Sequence, residues 1–186
     1  MNILFLTGNK HKLEVAQHAL SDFPDIHIDN KKIDCPEIQA ATVQEVAEFS
    51  AKWAAEELQQ PVVKTDSGLH IQGLNGFPGA YMSDINDWLS AEDILSMMQN
   101  KPDKKAHFVD VVSYCEPNGE AVSFISETHG TIALESAGEG DWPIDSVFIP
   151  DGFDKTLNQM SREERLKVWN VSRWHELAKY LMNKIS

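Results

Sequence analysis

Two cysteines in 186 residues, Cys35 and Cys115, are too few for a disulfide framework and carry no zinc-ligand spacing. They read as small apolar residues, and a reducing cytoplasm is the expected location. Cations are scarce as well. Sixteen Lys and Arg stand against 29 Asp and Glu, for a formal charge of -13. That balance argues against a nucleic-acid polymer as partner, because phosphate neutralisation supplies most of such affinity. A single nucleotide, held by a few local cations and a divalent metal, is not excluded by it. No apolar run approaches the roughly 20 residues of a membrane span, so no membrane partner is expected. The first residues lack a basic stretch, and their apolar run is too short for a signal peptide. Internal repeats, low-complexity tracts and Pro/Ser-rich linkers are also missing. Residues 1–186 are therefore expected to form a single domain, or two lobes sharing a core.

What the chain does have is one dense stretch, Lys64 to Tyr81. Pro61-Val62-Val63 leads in as a short buried strand, and Asp66 is expected where that strand ends. Ser67 and Gly68 predict a turn, and Leu69-His70-Ile71 a second short strand. Gly73, Gly76, Pro78 and Gly79 then build a tightly turned loop. A carboxylate at a strand end beside a loop that can approach a ligand suits a metal or a general base. The same residues also suit a hairpin whose Asp merely caps the turn.

Around this stretch the pattern alternates strands and helices. Asn2 to Leu6 predicts a buried strand, Thr7-Gly8-Asn9 breaks it, and Lys10 to Leu20 has helical spacing. A strand, a Gly turn and a helix start offer free backbone N–H groups to an anion. Lys10 and Lys12 lie in the first helical turn, where the helix dipole disfavours cations unless something negative binds. Both could instead simply point into water. Ile26 to Ile28 and Ile33 suggest a second strand, with a loop at Asp34-Cys35-Pro36-Glu37. Thr42 to Leu58 predicts a long helix capped by Thr42. Capping boxes at Ser90–Asp93 and Ser161–Glu164 mark two more helix starts. Ala106–Cys115 and Ala121–Ile132 predict strands about the turn Glu116-Pro117-Asn118-Gly119. Val147-Phe148-Ile149 is a short strand, and Asn170–Ile185 an amphipathic helix. The fold class is α/β with a mixed sheet.

Three separated motifs together resemble one family. They are Thr7-Gly8-Asn9-Lys10-His11-Lys12; Asp66-Ser67-Gly68-Leu69 with Leu74-Asn75-Gly76-Phe77-Pro78-Gly79-Ala80-Tyr81; and Phe148-Ile149-Pro150-Asp151-Gly152 with Lys155-Thr156 and Met160. The chain resembles the inosine/xanthosine triphosphate pyrophosphatases over nearly its whole length. The resemblance implies an elongated α/β fold with a long mixed sheet flanked by helices, two lobes and a central cleft, in a homodimer. It implies hydrolysis of a deaminated purine nucleoside triphosphate to the monophosphate and pyrophosphate with Mg²⁺. Under it Thr7, Asn9 and Lys12 hold the triphosphate. Glu37 and Asp66 bind the metal, and Asp66 also positions the attacking water. Ser67 lies in the substrate-binding motif, Lys155 and Lys167 face phosphates or nucleotide, and Trp142, Asp145 and Arg173 face the base.

The departures cluster on function. The family's catalytic lysine on the long helix falls on Ser50; Lys52, two residues along, points to another face of a helix. The acidic residue before Asp66 is Thr65. The base loop reads Gly140-Asp141-Trp142-Pro143-Ile144-Asp145-Ser146, where Pro143 removes a backbone N–H. A histidine before the last helix is Ser172, with His175 the nearest substitute, and an asparagine is Val168. Altered base specificity is expected, and a nucleotide-binding relative with weak or no hydrolysis is the alternative. Asp66-Ser67-Gly68 also matches the aspartic-protease triplet, a chemistry that needs two such carboxylates side by side. The seven histidines show no paired ligand spacing.

Overall fold

The computed structural model describes residues 2–36 and 38–185. It contains a seven-stranded mixed sheet: β1 (Asn2–Leu6), β2 (His27–Lys31), β3 (Val62–Ile71), β4 (Pro78–Gly79), β5 (Lys105–Cys115), β6 (Val122–Ile132) and β7 (Phe148–Pro150). The order is β2-β1-β3-β5-β6-β7, with β4 paired to β3. β1 lies parallel to both β2 and β3, whereas β3–β4 and β6–β7 are antiparallel. The helices are α1 (Lys10–Leu20), α2 (Val43–Leu58), α3 (Met82–Trp88), α4 (Ala91–Met97), α5 (Arg162–Val168) and α6 (Ser172–Ile185). The α/β class with a mixed sheet flanked by helices is as expected. Among the described residues no helix is long and apolar enough to cross a membrane.

The chain divides into two compact units. The first holds residues 1–66, 110–126 and 170–186, the second residues 67–109 and 127–169. In the first unit, alternation along the strands feeds two cores. Ile3, Phe5, Val63, Val112 and Tyr114 pack with α1 and with Trp174, Leu177 and Leu181 of α6. The Trp174 ring meets Phe5 edge-on, centroids 5.2 Å apart. Burying each such ring contributes about 1.5–3 kcal/mol. Leu6, Val62 and Cys115 pack with Ala51, Ala54 and Ala55 of α2. Those alanines let the helix backbone settle close to the strands. α2 starts at the expected cap: Thr42 accepts from the Glu45 N–H, and the Glu45 carboxylate reaches back to Thr42 N at 2.9 Å.

The second unit is built on Leu69, Ile71, Ile94, Met98, Phe108, Ile144, Phe148 and Leu157. Its helices α4 and α5 carry the capping boxes of Ser90 with Asp93 and Ser161 with Glu164. At Gly130, where β7 crosses close to β6, a Cβ would stand 2.3 Å from the Ile149 carbonyl oxygen, so only glycine fits.

The expected turn at Ser67-Gly68 is not there. β3 runs unbroken from Val62 to Ile71, with Asp66 inside it and not at its end. β3 is anchored by pairing with β1 at Val62 and Val63 and with β4 at Leu69 and His70, the turn-prone residues between continue the extended strand, and Gly68 is buried there. The turn comes later, at Gly76 and Gly79, whose φ of 87° and 61° need glycine. Helix α3 was not foreseen: Tyr81 precedes it without any side-chain cap.

Candidate active site

The end of β1 and the start of α1 form a self-supported loop in the first unit. Asn30 of β2 donates from Nδ2 to the carbonyls of Phe5 and Thr7, at 3.1 and 2.9 Å. Thr7 Oγ1 accepts from Asn9 N at 3.0 Å. Asn9 Oδ1 accepts from the N–H groups of His11 and Lys12, at 2.9 and 3.2 Å, and so caps α1. The first turn has no acidic residue, and its cations are Lys10 and Lys12. Thr7 and Asn9 thus set the helix start, which carries Lys12 inward.

Lys12 is half-buried. Burial pushes its ammonium below the usual lysine range, the carboxylates of Asp66 and Asp110 pull it back up, and Lys64 and Arg173 push it down again. Five charged side chains therefore share one electrostatic neighbourhood in this unit, from α1, β3, β5 and α6. Asp66, half-buried on β3, is the carboxylate that acts most strongly on Lys12. Asp110 lies on β5 in the interior, and Arg173 Nη1 stands 3.7 Å from its Oδ2. The same guanidinium nitrogen donates to Ser126 Oγ at 2.7 Å and to the carbonyl of Asn170. Ser126 Oγ also donates to Asn170 O at 2.7 Å. Arg173, expected to face a base, is 6% exposed and engaged on three sides by its own chain.

Position 50 and its neighbours are placed clearly. Ser50 is buried on α2, and the Cys35 thiol points at its carbonyl at 3.8 Å. Lys52 is exposed and pairs with Glu120 at 2.9 Å, engaged away from this cluster's carboxylates. His175 packs its ring against Phe23, with centroids 5.7 Å apart.

The second unit holds the remaining expected residues. Ser67 continues β3 and is half-buried. Trp142 is 40% exposed and immediately precedes a short 3-10 turn, Pro143–Ser146, with Pro143 at its first position. Proline is tolerated there because that N–H would be unpaired anyway. Asn158 holds this loop by donating to the Trp142 carbonyl at 3.4 Å and to Ser146 Oγ at 2.8 Å. Asp145 is ion-paired with Arg165 of α5. Lys155 pairs with Glu164 at 3.0 Å, and Lys167 is exposed on α5. Glu37, expected as a metal ligand, lies outside the described residues.

Lys64, Asp110, Ser126 and Arg165 were missed by the sequence reading. Lys64 alone had a local signal, since it stands two residues before Asp66 on a strand and so shares its side of the sheet. The others sit in unremarkable strand and helix patterns. A metal fits the donor set in one way. Among the described residues no three His, Cys, Asp or Glu side chains gather around a point. Mg²⁺ needs no such cage; it takes one or two carboxylates and completes its shell with phosphate oxygens and water. Asp66 supplies a hard, accessible oxygen for it.

Comparison with known proteins bears on the family and the fold. A Ham1 family profile matches residues 3–173. A dITP/XTP pyrophosphatase of Methanopyrus kandleri is 40% identical over 168 residues, covering 90% of this chain and 89% of its own. One of Thermococcus kodakarensis is 36% identical over 186 residues, the full length of both. The solved structure of the Staphylococcus aureus Ham1 protein superposes with a TM-score of 0.79 at 27% identity, over 100% of each chain. A HAM1 protein from Coxiella burnetii shares the fold at a TM-score of 0.81 and 23% identity, over 98% of this chain and 99% of that one. The family resemblance read from the three motifs is borne out: the chain belongs to the Ham1 family.

Proposed function

We propose that this chain is a nucleoside triphosphate pyrophosphatase that hydrolyses a purine nucleoside triphosphate, of the deaminated class, to the monophosphate and pyrophosphate with Mg²⁺. The observation that carries the reading is Lys12. A half-buried ammonium, delivered by the Asn9-capped start of α1, shares its surroundings with the Asp66 carboxylate. That pairs a phosphate grip with a metal and water site, the two parts that phosphoanhydride hydrolysis requires. The names of the relatives, dITP/XTP pyrophosphatase, support the same substrate class.

In this reading Thr7 and Asn9 orient the α1 start against the phosphates, and Lys12 stabilises charge on the departing pyrophosphate. Asp66, beside Lys12, positions the attacking water. A bound Mg²⁺ would supply charge neutralisation at the phosphate oxygens, held by Asp66 and, on the sequence resemblance, Glu37. Trp142 offers a half-exposed ring for stacking on a base, and Asp145, fixed by Arg165, a hydrogen-bond acceptor. Arg173 has a structural part in holding Asp110. Because Pro143 and the Asp145–Arg165 pair shape the base loop, its base preference is expected to differ from plain inosine and xanthosine selectivity. The enzyme is expected to act as a homodimer in the cytoplasm.

The test is pyrophosphate release with Mg²⁺ across standard and deaminated nucleoside triphosphates, for wild type and Asp66→Asn. Release from one or a few purines, abolished in the variant, is the expected result. Ser50 and the engagement of Lys52 by Glu120 favour one rival, a nucleotide binder without turnover. It would show a triphosphate-dependent rise in melting temperature and no pyrophosphate.

A further inference from the structure

Alternation along β3 puts Val62, Lys64 and Asp66 on one side of the sheet. On that side Val62 packs with Ala51, Ala54 and Ala55 of α2, the helix that carries the small, buried Ser50. β1 runs parallel to β3, with Leu4 opposite Val62 and Phe5 opposite Val63. The Thr7-Gly8-Asn9 loop that leaves β1 therefore rises beside the Lys64–Asp66 segment. Lys64 is half-buried there. It repels Lys12, and Arg173 adds a third positive charge to the same neighbourhood. Among the described residues Lys64 has no hydrogen-bond or ion-pair partner, unlike Lys52, Lys155 and Lys184, each held by a glutamate. Three cations, Lys12, Lys64 and Arg173, gathered with two carboxylates, Asp66 and Asp110, leave a net positive charge in a partly buried place, and a bound polyanion relieves the repulsion between the two ammonium groups.

We propose that Lys64 is a phosphate-binding residue of this site, a second cation that grips the polyphosphate together with Lys12 beside Asp66. The cation reaches the site from the strand, where the resemblance would have supplied one from α2 at position 50. This proposal rests on the reading that the site takes a nucleoside triphosphate.

Its test uses Lys64→Met, which keeps the packing of the stem, and Lys64→Arg, which keeps the charge. Two quantities are measured: Mg²⁺-dependent pyrophosphate release from the triphosphate that wild type prefers, and binding of inorganic tripolyphosphate by calorimetry. Lys64→Met is expected to lower kcat/KM by about 10²–10³, the scale of losing one transition-state donor, and to weaken tripolyphosphate binding by about tenfold or more. Lys64→Arg is expected to keep most of both. A Lys64→Met enzyme within about threefold of wild type in both measurements overturns the proposal. If wild type releases pyrophosphate from no nucleotide, the functional reading fails separately, and the titration alone decides. Weaker tripolyphosphate binding by Lys64→Met then upholds the assignment. Equal binding by both proteins, or none by either, overturns it.

Discussion

Asp110 Oδ2 and Arg173 Nη1 face one another at 3.7 Å, with each side chain 8% exposed. A strand and the last helix are tied by opposite charges that have left water, and Ser126 Oγ and the Asn170 carbonyl accept from the same Nη1. The attraction offsets the cost of desolvation only while both partners are present. Replacing Asp110 by Ala should therefore cost about 3–5 kcal/mol in urea unfolding, since it strands a buried guanidinium. Replacing both, as Asp110→Leu with Arg173→Met, should recover most of that loss. A double variant no more stable than Asp110→Ala would show that packing, not charge, dominates here.

The Asn9 cap gives a second prediction. Its Oδ1 accepts two N–H groups at the start of α1. Asn9→Ala should cost about 1 kcal/mol of stability, the usual value of a helix cap. If the helix start holds phosphate, KM for the triphosphate should rise well beyond what that stability loss explains, because Lys12 loses its fixed origin. A cap lost with KM unchanged would place the phosphates elsewhere.

The two findings differ in how far the sequence reveals them. Caps are written within four residues, so Thr42, Ser90 and Ser161 could be read as helix starts, and the structure at those points matches. The three motifs were also local, and they identified the family. Asp110 with Arg173, and Asp145 with Arg165, are pairings between distant segments, the latter twenty residues apart, and no periodicity announces them. Ser67-Gly68 shows the converse failure. Their turn preference is real but worth little inside a strand anchored before it at Val62–Val63 and after it at Leu69–His70, so β3 passes straight through. The placement of Lys64 beside Lys12 needed the parallel pairing of β1 with β3, which is a fact of topology.

His70, His107 and His129, on three strands of the second unit, stack their rings in a row. The centroids are 5.3 Å apart for the first pair and 5.4 Å for the second. Gln72 contacts His107 Nδ1 at 3.1 Å, and Glu127 faces His129 at 3.2 Å. Burial, and then the neighbouring His107, hold His70 below the ordinary histidine value, against a weaker upward pull from Glu127. In the window between an unfolded value of about 6.5 and the lower folded one, the unfolded chain binds more protons. Stability should therefore fall as pH falls through that window. Melting temperature should drop as pH falls through and below about 6.5, and drop less in His70→Phe, which keeps the ring without the titration. Equal drops in both proteins would remove His70 as a cause.

The last prediction separates base recognition from phosphate binding. Trp142 is 40% exposed, and its backbone carbonyl accepts from Asn158 Nδ2 and Asp145 N, so removal of the ring should leave the loop in place. Stacking of a base on an aromatic ring is worth about 1–3 kcal/mol. Trp142→Ala should raise KM for the preferred nucleoside triphosphate by the corresponding factor, while tripolyphosphate, which has no base, should bind as to wild type. Arg165→Met should act differently. It removes the Arg165 ion pair of Asp145, so the acceptor is held less firmly and discrimination among purines should narrow, with less effect on KM for the best one. Trp142→Ala losing tripolyphosphate binding as well would mean that the loop supports the phosphate site, and the base would have to be read by other residues.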